Sequence, residues 1–121
     1  VRHRDRGVVG EATVDFIKQF KVDFGVIGIS GIDLDGTLLD FDYREVRVSQ
    51  AIIANSRNVL LVADHSKFSR SAMVRLGHIS EVNMLFTDDS PPESMDAVLA
   101  AAEVQVLIDN AGNAAASPHN R

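Results

Sequence analysis

Apolar and polar positions along the chain fall into blocks with two different periods. In GEATVDFIKQF, Val14, Ile17 and Phe20 share one face while Asp15, Lys18 and Gln19 point elsewhere, which predicts an amphipathic helix. Val22 to Ser30 reads as a strand, and its run Phe24-Gly25-Val26-Ile27-Gly28-Ile29 lacks polar alternation, predicting burial on both faces as in a parallel sheet. YREVRVSQAIIAN, Tyr43 to Asn55, returns to helical spacing, with Val46, Ala51, Ile52 and Ile53 as the apolar stripe and Arg44, Arg47 and Gln50 as the wet one. NVLLVAD, Asn58 to Asp64, is a second buried strand, too short for a helix and ending on an acid. HSKFSRS follows as a short helix or turn, and Met73 to His78 fits a short edge strand. Val82 to Thr87 is a third strand, again followed by acids. Ser90-Pro91-Pro92 opens a helix, ESMDAVLAAA, with Ser90 as N-cap or Pro92 in the first turn and Glu93 placed to complement the dipole. Val104 to Ile108 is a fourth strand.

Short buried strands alternating with helices predict an α/β fold with a mostly parallel sheet and flanking helices. The 121 residues suffice for one domain with a single core. The last residues, from 109 to 121, are small and polar and read as a disordered tail. The chain opens VRHRDRGVVG, without an initiator Met, which reads as the interior of a longer protein.

Charge and composition narrow the function. Seventeen acids against twelve bases give a net charge of −5, which argues against a nucleic-acid-binding surface on this stretch, since phosphate contacts need clustered Lys and Arg. With no cysteine there is neither a disulfide framework nor thiolate chemistry. The four histidines lack metal-ligand spacing, so neither a metal nor a cofactor is expected. No apolar run approaches the roughly 20 residues of a membrane span, and no secretory signal is visible, which points to a cytoplasmic protein.

In open α/β sheets ligands bind outside the carboxyl ends of the strands. Three of those ends carry polar residues here: SGIDLDG, DHSK and TDD. Gly28, Gly31 and Gly36 permit sharp turns and close approach; Ser30 and Thr37 offer hydroxyls; Asp33 and Asp35 offer acceptors for sugar or polyol hydroxyls. Lys67, three residues after Asp64, supplies a cation for a phosphate or carboxylate, and Glu45 starts the helix after the first loop. Each has a plainer reading. Asp35-Gly36 is also a tight turn, Asp64 also a helix cap for Ser66-Lys67-Phe68, Lys67 also a solvated surface residue, and Asp88-Asp89 also a capping feature.

The blocks GEATVDFI, DFGVIGISGIDLDGTLLDFDYREV, AIIANSRNVLLVADHSKF and VNMLFTDD, in that order and spacing, resemble the C-terminal sensor domain of the DeoR family of bacterial transcriptional repressors. The resemblance spans about residues 7 to 108 and makes residues 1–108 the C-terminal part of an effector-binding domain. It implies the fold of the sugar-phosphate isomerase group (ribose-5-phosphate isomerase, glucosamine-6-phosphate deaminase, CoA transferase), incomplete at the N-terminus. It also implies an effector site at Ser30, Gly31, Asp33, Asp35, Gly36, Glu45, Asp64 and Lys67 and no catalytic residues. The implied ligand is a small phosphorylated polyol or sugar, glycerol 3-phosphate or a related sugar phosphate. Its hydroxyls would meet Asp33, Asp35 or Glu45, and Lys67 would favour its charge. The family's winged helix-turn-helix and Gly-rich phosphate loop have no counterpart in this chain, so operator DNA would be reached only through that missing domain, in a homo-oligomer. The isomerases' adjacent acids are replaced by Gly31-Ile32-Asp33, which fits a pocket kept for binding and not for turnover. The competing reading is a sugar-phosphate isomerase or deaminase using Glu45 or Asp33 as base.

Overall fold

The computed structural model of the protein describes residues 11–109, so the first ten positions and the polar tail beyond Asp109 lie outside the described residues. Helix α1, residues 11–17, buries Val14 and half-buries Ile17. Phe20 falls beyond its last turn and is exposed, so it does not join that face. The chain then forms β1 (Val22–Gly28), β2 (Gly31–Ile32), β3 (Thr37–Asp40), α2 (Tyr43–Ala54), β4 (Ser56–Val62), β5 (Val74–His78), β6 (Met84–Thr87), α3 (Asp96–Ala101) and β7 (Gln105–Ile108). It is an α/β fold whose larger sheet is wholly parallel, in the order β1-β4-β6-β7, with Val26 beside Leu60, Leu61 beside Leu85 and Phe86 beside Leu107.

A second sheet, β2-β3-β5, is antiparallel; its β5 is the edge strand expected at Met73 to His78, while β2 and β3 lie in what the sequence presents as one long loop. Its small size explains this: β2 has only two residues, too few to show a period. Ile32 and Leu38 face each other across the β2–β3 hairpin and are both 0% exposed. With Leu76 and Ile79 they meet Ile27, Val59, Leu61 and Leu85 from the covered face of the parallel sheet. Val46 of α2, Leu99 of α3 and Met95 just before α3 close the core.

Helix α2 begins where its sequence says it should. The Asp42 side chain accepts from the Arg44 N–H at 2.9 Å, and Glu45 in the first turn complements the dipole. Gln50 Nε2 donates to the Leu76 carbonyl at 3.0 Å, tying α2 to β5. The last helix starts differently from expectation. Pro92 occupies the cap position with no side-chain hydrogen bond, and a 3-10 turn, Glu93–Met95, precedes the six residues of α3. Ser90 instead donates its N–H to Asp89 Oδ1 at 2.7 Å, so it turns the loop and caps nothing.

The expectation that β1 is buried on both faces is corrected. Gly25 and Ile27 face the core, but Phe24 and Val26 are 59% and 58% exposed, and Val22 and Val62 lie open beside them. An apolar run reports that a face demands cover; it does not report that the cover lies among these residues.

Two substitutions test this packing. Leu61→Ala, at a 0% exposed position, should cost about 2–5 kcal/mol in urea unfolding of the intact protein. Gly36→Ala should also destabilise: Gly36 holds φ +94, and a Cβ there would stand 2.7 Å from His78 Nε2 and 2.8 Å from Ile79 Cγ2. An unchanged midpoint for either variant would refute the assigned packing.

Candidate functional site

The carboxyl end of β1 runs through Ile29 to Ser30, and the β2–β3 hairpin returns the chain to Asp40 beside it. The Ser30 N–H donates to the Leu39 carbonyl at 3.0 Å, which fixes that register. Ser30 Oγ donates to Asp40 Oδ1 at 2.9 Å, and the Phe41 N–H donates to the same oxygen at 2.7 Å. Asp40 is 8% exposed. Two residues later Asp42 caps α2. The result is a cavity of about 570 Å³ between the end of β1, α1 and the start of α2, lined by Thr13, Ser30, Asp40, Asp42, Arg44, Glu45 and their neighbours. Its wall offers hydroxyl and carboxylate oxygens to a hydroxylated ligand, with Arg44 as the cation.

Ser30 and Glu45 are therefore brought together. Asp64 and Lys67 form a second cluster on the adjoining strand end, since Gly28 of β1 lies beside Val62 of β4. Asp64 Oδ1 accepts from the Ser66 N–H at 2.8 Å and from the Ser66 hydroxyl, and Lys67 Nζ stands 3.7 Å from Asp64 Oδ2. The Ser66 bonds, with a smaller contribution from Lys67, hold the Asp64 carboxyl below its ordinary range. The capping reading of Asp64 is thus present in the structure, on a 3-10 turn, His65–Lys67.

Asp33, Asp35 and Gly36 stand at the hairpin tip and line neither this cavity nor the one at the ends of β4, β6 and β7. The Asp33 N–H donates to Thr37 O and the Gly36 N–H to Asp33 O, both at 2.9 Å, which is a tight turn. Asp35 Oδ1 accepts from the Thr37 N–H at 2.9 Å, and Thr37 lowers its pKa. His78 Nε2 lies 2.8 Å from the Asp35 carbonyl and anchors the tip. Gly31 packs under the Arg70 carbonyl, where a Cβ would collide, so its close approach is to backbone. Asp40, Asp42 and Arg44 were not singled out in the sequence. Their signal is the acid-bracketed helix start, DFDYRE, but nothing in one dimension places Asp40 against Ser30.

The cavity of about 570 Å³ beyond β4, β6 and β7 is lined by Asp64, Asp88, Asp109 and Thr87. Thr87 is 4% exposed, and its hydroxyl has no partner among the described residues. At its rim the His65 N–H donates to Asp88 Oδ1 at 2.7 Å, and His65 Nδ1 lies 3.0 Å from Asp88 Oδ2. Among the described residues no group of three or more His, Asp or Glu is arranged to hold a metal ion, and no helix is long and apolar enough to cross a membrane.

The sequence profile described as "DeoR C terminal sensor domain" matches residues 1–89. The glycerol-3-phosphate regulon repressor of Escherichia coli (strain K12) is 58% identical over 106 residues, 88% of this chain and 42% of that protein. The protein of the same name from Haemophilus influenzae is 64% identical over 87 residues, 72% of this chain and 34% of that protein. The HTH-type transcriptional repressor CsqR of Escherichia coli (strain K12) is 34% identical over 108 residues, 89% and 41% of the two chains. The chain spans less than half the length of these curated relatives.

The His65–Asp88 contact has a defined pH window. Asp88 raises the pKa of His65, so that contribution is complete below the ordinary histidine value and is lost as pH rises through the raised one. His65 lowers the pKa of Asp88, so its contribution is complete above the ordinary carboxylate value and is lost as pH falls through the lowered one. The latch is complete between about pH 4 and 6.5. NMR titration should find the His65 midpoint above its ordinary value, and Asp88→Asn should bring it down. A midpoint indifferent to Asp88→Asn would dismiss the latch.

Proposed function

The chain belongs to the family of DeoR C-terminal sensor domains, and on that premise we propose that it senses the effector for a repressor of glycerol 3-phosphate metabolism. The observation that carries the proposal is the 58% identity, over 88% of the chain, to a relative named for the glycerol-3-phosphate regulon. The 64% identical relative bears the same name, which favours a regulator over an isomerase or deaminase. The effector is a small phosphorylated polyol or sugar, glycerol 3-phosphate in the first place.

The crevice at the end of β1 supports this reading chemically. Ser30 and Glu45 offer oxygens to ligand hydroxyls, and Arg44 favours the ester's charge. Lys67, on the neighbouring strand end, is a second cation within the same row of strand ends, paired there with Asp64. Gly31, Asp33, Asp35 and Gly36 enter the proposal through the hairpin that carries Ser30 to Asp40. Effector binding relieves repression by its differential affinity for the DNA-competent and DNA-incompetent states of a homo-oligomer, and operator DNA is held by a part of the protein other than these residues.

Isothermal titration of the intact protein with glycerol 3-phosphate, glycerol and inorganic phosphate tests the reading. Saturable binding of the ester alone is expected. At a hundredfold excess over Kd it should stabilise the fold by about 2.7 kcal/mol. Lys67→Ala should weaken the ester without unfolding the protein. A cooperatively folded protein that ignores the ester would overturn the assignment.

A further inference from the structure

Both hydrogen bonds to the Asp40 carboxylate land on one oxygen. Ser30 Oγ and the Phe41 N–H donate to Oδ1, at 2.9 Å and 2.7 Å, and among the described residues no bond reaches Oδ2. Yet Asp40 is 8% exposed and lines the cavity at the end of β1. Oδ2 is not sealed from solvent, since among the described residues the buried side-chain oxygen left without a partner is that of Thr87; it is an acceptor position open to a ligand.

The pairing also sets what that partner must be. A serine hydroxyl has a single proton, and Ser30 spends it on Asp40, so its oxygen meets a ligand only as an acceptor. Asp40 Oδ2 is likewise an acceptor. Both residues line the cavity, so the pair offers a ligand acceptors alone. A phosphate oxygen, also an acceptor, is rejected there; a hydroxyl, which donates, is taken. Arg44 in the same wall supplies the donors a phosphate needs.

We infer that the Ser30–Asp40 pair is the specificity-determining element of the site, reading the hydroxyl groups of a polyol phosphate whose phosphate lies away from it. This rests on the effector reading above and goes beyond it by assigning the discrimination to a residue, Asp40, and to one class of ligand group. Asp40 touches the ligand hydroxyl directly, and Ser30 is both a contact and the group that Asp40 orients.

The test compares glycerol 3-phosphate with its two monodeoxy esters, 2-hydroxypropyl phosphate and 3-hydroxypropyl phosphate, on the intact protein. The wild type should bind glycerol 3-phosphate about tenfold or more tighter than one of the two, because the deoxy ester brings no donor to the Asp40 carboxylate and that charge-assisted hydrogen bond is lost. Asp40→Leu, similar in shape and without acceptors, should weaken glycerol 3-phosphate by that same factor and leave the poorer ester unchanged, so the discrimination collapses. A purely structural role would weaken all three esters alike and would overturn the inference. So would a folded Asp40→Leu protein that still discriminates, or a wild type that binds all three equally. Should Asp40→Leu fail to fold, Ser30→Ala decides: collapse of the discrimination supports the pair, and its survival overturns it. A folded wild type that binds none of the esters refutes the effector reading, and the inference falls with it.

Discussion

The site depends on one pairing that is itself far from polar: Ile32 against Leu38 across the β2–β3 hairpin, both fully buried. Burying two such side chains contributes roughly 1.5–3 kcal/mol each. Because strand side chains alternate, holding those two inward settles the register of everything attached to them. Gly31 then lies beside Leu39, Ser30 reaches Asp40, and the chain leaves β3 at the point where Asp42 can start α2. A slip of one residue would turn Leu38 to solvent and break the Ser30–Asp40 contact together. The apolar core and the polar crevice are thus one arrangement seen from two sides.

The acids of this chain illustrate how a shared chemical type is divided by geometry. Asp42 caps a helix, Asp64 caps a 3-10 turn, Asp35 and Asp33 close a hairpin, and Asp88 holds His65. In each of these cases local donors occupy carboxylate or carbonyl oxygens, which is why such residues recur at turns and caps. Asp40 differs in being buried: its donors are Ser30, ten residues away, and the Phe41 N–H, and the residue lines the cavity at the end of β1.

The parallel sheet has one covered face and one open one. Ile27, Val59, Leu61 and Leu85 supply the first, and Phe24, Val26 and Val62 lie on the second. Strands of a parallel sheet are ordinarily covered on both sides, and among the described residues this second face is uncovered. Its position, across the sheet from α2 and the hairpin, leaves the crevice at the strand ends accessible.

By itself the sequence determined the α/β class, the four parallel strands, the start of α2 at Tyr43 and the row of polar strand ends, because periodicity and strand length are local properties written in consecutive residues. It also carried the family, through blocks such as GISGIDLDG and VADHSKF. It disclosed β5 as a short strand but not β2, β3 or the sheet that joins the three, since a two-residue strand has no period. It singled out Asp33 and Asp35 as acceptors for ligand hydroxyls and passed over Asp40. Only the tertiary structure decided which carboxylates close the hairpin tip and which line a cavity. That outcome depends on which residues ten positions apart are brought side by side, and the burial of Ile32 and Leu38, not any local signal, places Ser30 against Asp40.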